Sequence, residues 1–193
     1  MKLLSLKSTG ALSLALIVSG VMATTPVAAT QQSPTETEGK VAFTAGELTL
    51  DQVPNFDFDT HMISGRDETY NIKEEAQAQV TDLRGSSAGW RLTVTQDDQL
   101  KTGDYYLPGA QITLKAGTVL NTNDEQPTAR DVVLIPKSAA TVLIADKDKG
   151  NGVSTLNWST SQATLSVPGT TTKRATEYKT TLTWTLADAP TVS

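Results

Sequence analysis

The sequence contains no cysteine, a single histidine and few aromatic residues. Without cysteine there are no disulfides, thiol nucleophiles or thiolate metal ligands, so a hydrophobic core alone must hold the fold together. His61 is the only imidazole, which rules out a multi-histidine metal site, and serine–histidine chemistry would have to use it. It follows Thr60 in a polar stretch with no matching serine or acid motif, and Ser64-Gly65-Arg66 reads as a turn rather than a nucleophile elbow. Bases are also scarce. The formal charge of −5 repels phosphate backbones, and no polybasic segment addresses anionic lipid. Hydrophobic residues at 38% and charged residues at 19% are both below the usual share. Threonine, serine, alanine, glutamine and glycine fill the difference, a balance that suits a pleated β-surface.

There is one long apolar run. Lys2 and Lys7 precede Ala11-Leu12-Ser13-Leu14-Ala15-Leu16-Ile17-Val18, and Val27-Ala28-Ala29 fits a small-x-small cleavage site. This three-part layout is that of a secretory signal peptide, too short to remain as a membrane anchor. Cleavage is expected after Ala29, with Ala23 as the alternative. It leaves 14 bases against 21 acids, a net charge of −7. The last residues, Leu186 to Ser193, carry no hydrophobic tail and no basic stop, and no cysteine is available for lipidation. The protein is therefore expected outside the cell, held there non-covalently and without inserting into the membrane.

Residues 1–29 thus read as a signal peptide, 30–39 as a flexible polar spacer, and 40–193 as one all-β domain. Strands are expected at Lys40–Phe43, Glu47–Leu50, Gln77–Asp82, Trp90–Gln96, Ala110–Lys115, Val132–Ile135, Thr141–Ala145, Thr155–Trp158, Ala163–Val167 and Ala175–Leu186. Turn clusters separate them, such as Leu107-Pro108-Gly109 and Asn121-Thr122-Asn123-Asp124. Only Tyr70–Ala78 could pass for a helix. Many short strands with turn chemistry between them indicate a β-sandwich or barrel-like antiparallel fold.

The tripeptide Trp-x-Leu occurs twice, as Trp90-Arg91-Leu92 and Trp184-Thr185-Leu186. A side-chain period of two places Trp90, Leu92 and Val94 on one strand face, and Leu182, Trp184 and Leu186 on another. The first copy follows Val80-Thr81-Asp82-Leu83-Arg84 and Gly89. The second stands in Tyr178-Lys179-Thr180-Thr181-Leu182-Thr183-Trp184-Thr185-Leu186-Ala187-Asp188-Ala189-Pro190. Upstream are Leu48-Thr49-Leu50-Asp51-Gln52-Val53-Pro54 and Phe56-Asp57-Phe58-Asp59-Thr60. Leu107-Pro108-Gly109-Ala110-Gln111-Ile112 and Gly150-Asn151-Gly152 lie between the copies. From Val41 to Pro190 this ordered set resembles the WxL domain of low-GC Gram-positive bacteria. At Asp59 the family pattern is expected to carry glycine instead. The resemblance implies a small, secreted, non-enzymatic surface protein. Its expected partners are peptidoglycan or another cell-wall glycan, together with a membrane-anchored or other WxL-type surface protein. No cofactor, metal or nucleic acid is expected.

Several residues are candidates for binding. Trp90, Leu92, Trp184 and Leu186 could stack on sugars, or could be core, as a tryptophan flanked by leucine at i±2 usually is. Thr183 and Thr185 form a rival polar face. Asp82 and Arg84 could form an ion pair or fix a loop. Asp57 and Asp59 share a face and could serve as an acid–base pair in glycoside hydrolysis, against the plainer reading of a polar strand face. Asp146-Lys147-Asp148-Lys149-Gly150-Asn151-Gly152 has acids at the first and third positions of a calcium loop. It has glycine at the fifth, where a ligand belongs, and Asn157 at the twelfth, and so reads as a solvated turn.

Overall fold

A computed structural model of the chain describes residues 36–188. The signal peptide and the first part of the spacer lie outside the described residues. Among the described residues, those from Ala42 to Asp188 form one compact unit. Its strands in chain order are β1 (Leu48–Gln52), β2 (Glu68–Asn71), β3 (Ala76–Asp82), β4 (Trp90–Gln96), β5 (Lys101–Thr102), β6 (Tyr105–Tyr106), β7 (Gln111–Leu114), β8 (Thr118–Asn121), β9 (Thr128–Ala129), β10 (Val132–Val133), β11 (Ala139–Ala145), β12 (Gly152–Trp158), β13 (Ala163–Val167) and β14 (Leu182–Asp188). There is no helix among the described residues. Sheet A has the order β1-β3-β12-β8, sheet B β10-β7-β13-β2, and sheet C β14-β4-β11-β9, while β5 and β6 form a separate small hairpin. Every pairing is antiparallel, and the sheets do not close into a barrel.

The three sheets turn their inner faces onto one core. Sheet A contributes Ala78, Val80, Leu156 and Trp158; sheet B contributes Ile112, Leu114, Leu165 and Val167; sheet C contributes Trp90, Leu92, Val94, Val142 and Leu143. Strict alternation makes this possible, as in β4, where every second residue from Trp90 to Gln96 is buried. Full burial of each such side chain contributes about 1.5–3 kcal/mol against chain entropy. Two bulges adjust the pattern. In β11 the register shifts between Thr141 and Leu143, which lets the consecutive residues Val142 and Leu143 both face inward. In β1 the shift lies between Leu50 and Gln52, and it leaves both Asp51 and Gln52 exposed to solvent.

Some sequence expectations are corrected here. No strand forms at residues 40–43, where Phe43 is 90% exposed; β-propensity alone cannot make a strand without a neighbour to pair with. The helix-like stretch Tyr70–Ala78 is the end of β2 and the start of β3, since pairing to β13 and β12 outweighs its weak helical pattern. The last strand begins at Leu182 rather than Ala175. Before it, Lys179 makes only an isolated bridge to Lys101. The short strands β2, β5, β6, β8 and β9 carry too little alternation to be legible one at a time.

Trp90 is fully enclosed. Its indole N–H donates to the Gly150 carbonyl at 3.1 Å. A Cβ on Gly150 would stand 2.6 Å from the Ala145 Cβ and 2.7 Å from the Trp90 Nε1, and its φ of +75° already disfavours any other residue. Trp90→Ala is therefore expected to cost about 3–5 kcal/mol, and Gly150→Ala at least about 2 kcal/mol through strain and overpacking. Denaturant titration of both variants beside the parent measures these losses, and adding reductant is expected to leave the parent's curve unchanged.

Candidate functional site

The two Trp-x-Leu copies, Trp90–Leu92 and Trp184–Leu186, meet on neighbouring strands. In the antiparallel β4–β14 pair, Leu92 stands opposite Leu186, Val94 opposite Trp184, and Trp90 opposite Asp188. All four motif residues face the core side. Trp90 and Leu92 lie on a central strand and are wholly buried, whereas Trp184 and Leu186 lie on the edge strand and are half-buried. Trp184 packs into an aromatic cluster. Its ring centroid is 6.2 Å from that of Trp158 and 6.5 Å from that of Phe56, and Phe56 meets Trp158 edge-on at 5.8 Å. The Trp158 indole N–H donates to the Lys115 carbonyl at 2.9 Å, so the two fully buried tryptophans, Trp90 and Trp158, have their polar atom satisfied.

Asp82 and Arg84 form a clamp at the end of this strand pair. The Arg84 guanidinium donates from Nε to Asp82 Oδ1 at 2.9 Å and from Nη2 to Asp82 Oδ2 at 2.8 Å. It also reaches the Gly89 carbonyl and the Asp188 carboxylate. One arginine thus ties the end of β3 to the residue before Trp90 and to the last residue of β14. Asp82 is 2% exposed. Burial pushes its carboxyl upward, but the hydrogen bonds and charge of Arg84 outweigh that, so it lies below the ordinary carboxylate range. The same hydrogen bond to Asp82 raises Arg84.

On the opposite face of sheet C, Thr183 stands beside Thr95 and Thr185 beside Thr93. Thr183 and Thr185 are exposed. The Thr183 hydroxyl donates to Asp97 Oδ1 at 2.8 Å, and the Thr93 hydroxyl to the Thr185 carbonyl at 3.3 Å.

Asp57 and Asp59 are taken up by local structure. Asp57 accepts the Asp59 N–H at 2.9 Å, and Asp59 accepts the Thr60 N–H at 2.8 Å. Asp59 has φ of +63°, a left-handed conformation that glycine adopts most easily, which accounts for the glycine expected there. His61 Nε2 lies 2.6 Å from the Phe58 carbonyl, and its ring stacks on Tyr70 at 4.0 Å. Asp146 and Asp148 are exposed in a turn. Among the described residues no group of three or more acids and histidines is placed to hold a metal. The glycine of this segment, Gly150, instead makes room for Trp90.

The sequence reading missed an open cleft of ≈ 390 Å³ where β1 leaves sheet A, lined by Gln52, Pro54, Asn55, Glu75, Gln77 and Asn157, among others. Gln77 Nε2 donates to Gln52 Oε1 at 2.8 Å. Part of this was legible, because Gln77 and Gln79 alternate with buried residues in β3 and so share the outer face. The arrival of Gln52 and Asn157 beside them depends on pairing across the sheet.

A family model described as WxL domain, surface cell wall-binding, matches residues 7–190. No curated protein and no solved structure matches the chain.

The clamp makes acid stability testable. Since Asp82 has a folded pKa below its ordinary value of 3.8, its contribution is complete above that pH and is lost as the pH falls through the folded value. Arg84→Met leaves a buried carboxylate uncompensated and is expected to cost about 3 kcal/mol at neutral pH. Asp82→Asn is expected to flatten the dependence of stability on pH below 3.8, as measured by chemical denaturation across an acid series.

Proposed function

Since the chain belongs to the WxL family of surface cell-wall-binding domains, we propose that it is a non-catalytic module that holds peptidoglycan non-covalently. The observation that carries this reading is the division of labour between sheet faces. The motif tryptophans and leucines are turned toward the core. The faces left to solvent present hydroxyls and amides, such as Thr183 and Thr185 on sheet C and Gln77 and Gln79 on sheet A. Such faces suit a hydroxyl-rich glycan, and the acidic chain offers no general attraction to phosphate-bearing polymers. Trp90, Leu92, Trp184 and Leu186 then serve binding by shaping the domain rather than by touching sugar, and Asp82 and Arg84 by clamping it. The absence of catalysis is supported by the carboxylates of Asp57 and Asp59, which cap their own turn.

A second reading has the protein bind mainly a membrane-anchored partner, with wall contact indirect. It is supported by β14, whose seven residues pair with β4 on one side only among the described residues. An open strand edge of this kind can accept an added strand.

Co-sedimentation with protein-stripped peptidoglycan sacculi separates the two readings. The purified protein is expected to pellet alone and to release no soluble muropeptides. Pelleting only when a membrane-anchored partner is present would establish the second reading instead. Binding is also expected to survive 1 M salt, where the Debye length falls to about 3 Å and charge-driven docking weakens. Quantitative release by salt would point to a charged patch.

A further inference from the structure

We propose that the cleft at the end of sheet A is the glycan subsite, and that it takes an uncharged sugar strand rich in acetamido and hydroxyl groups. This inference rests on the wall-binding reading and names its site.

The bulge in β1 is what creates the cleft's polar wall. By turning both Asp51 and Gln52 to solvent, it places Gln52 beside Gln77 rather than over the core. The Gln77–Gln52 hydrogen bond uses one donor and one acceptor. The Gln52 NH2 and the Gln77 carbonyl keep hydrogen-bonding capacity for a ligand. Asn157 makes only a long contact from Nδ2 to the Thr118 carbonyl, at 3.5 Å. Asn55 and Glu75 make no side-chain hydrogen bond among the described residues, although both line the cleft. Amides that both donate and accept, together with a carboxylate that accepts from hydroxyls, match acetamido and hydroxyl groups. No lysine or arginine lines the cleft, and its one ionisable group is Glu75. A phosphate or carboxylate polymer therefore finds no counter-charge there, whereas a neutral glycan needs none. Val53 and Pro54 supply an apolar wall for a sugar face or an acetamido methyl. The volume falls within the range of small-molecule sites. The outer face of sheet A, where Gln79 stands opposite Thr155 and Thr81 opposite Val153, with the exposed Leu120 beside Thr155, leads away from the cleft and mixes hydroxyl, amide and apolar groups, so a linear polymer can extend along it.

The second Trp-x-Leu copy thereby gains a role in binding without contacting the ligand. Asn55 adjoins Phe56, and Asn157 adjoins Trp158; these are the two rings that pack on Trp184. Trp184 is a positioning residue for two of the cleft's amides.

The test uses the mature protein, protein-stripped sacculi and a soluble N-acetylglucosamine tetramer. Asn55→Ala/Gln77→Ala, both altered at solvent-facing positions, is expected to keep the parent's melting temperature and to lose at least tenfold in affinity for sacculi and tetramer. Met62→Ala, at an exposed position outside the cleft and the sheet faces, is expected to bind as the parent does. In the unaltered protein, the tetramer is expected to shift the side-chain amide NMR signals of Gln52, Asn55, Gln77 and Asn157, a readout that does not depend on any variant folding. If the parent pellets with sacculi but these signals stay put, or if the cleft variant binds as well as the parent, the cleft is not the site, while the wall-binding reading stands. If the parent itself fails to pellet, both fall.

Discussion

The seating of Trp90 is the contact on which the rest of the structure depends. Its indole is enclosed at the end of the central strand of sheet C, and its N–H is satisfied by the carbonyl of Gly150, a residue with no room for a Cβ. Gly150 lies between β11 and β12, in the connection from sheet C to sheet A. One ring therefore fixes the path by which the chain leaves one sheet and enters the next. The Arg84 clamp closes the same corner from the other side, joining the end of β3 to Gly89 and to Asp188. A chain without cysteine has to hold such a corner by packing and buried hydrogen bonds, and here it does both within a few residues of the first motif.

The second motif works at the edge of the sheet, and the difference has a physical cause. A central strand is covered by neighbours on both sides, whereas an edge strand has one, so the inward residues of β14 are only half-buried. Phe56 and Trp158 complete the cover over Trp184. The loop that carries Phe56 is thereby held against the sheet, and the amide cleft opens beside it. Core packing and candidate binding surface are thus two sides of the same few residues.

Much of the fold was legible because alternation in the longer strands is strong. Trp90–Gln96 and Ala163–Val167 match the observed strands from end to end, and Gln77–Asp82 and Thr155–Trp158 fall within observed ones. The short strands β7 and β10 fall within the expected Ala110–Lys115 and Val132–Ile135, whereas β2, β5, β6, β8 and β9 were not legible, because so few residues give alternation little to show. The bulge in β11 was hidden for a related reason: Val142 and Leu143 read as an apolar run in any register, and only the partner strand reveals the extra residue. Of the candidate residues, Asp82 and Arg84 were recognisable as a pair because they are two apart in sequence, although β3 ends at Asp82 and Arg84 follows in a bend. Asp188 as their third member was not, since it comes from a different sheet.

By itself, the sequence determined the class of structure and the class of protein: an all-β chain with no cysteine and a single histidine, carrying two Trp-x-Leu copies in a context that marks the family. Composition and period-two patterning act residue by residue and need no partner to be read. Only the tertiary structure decided that the two copies pair antiparallel on adjacent strands, that Gly150 exists to admit Trp90, and that Gln52, Asn55, Gln77 and Asn157 converge on one cleft. Each of these depends on which strands are neighbours and in what register, and that is settled by how three sheets bury their faces in one core.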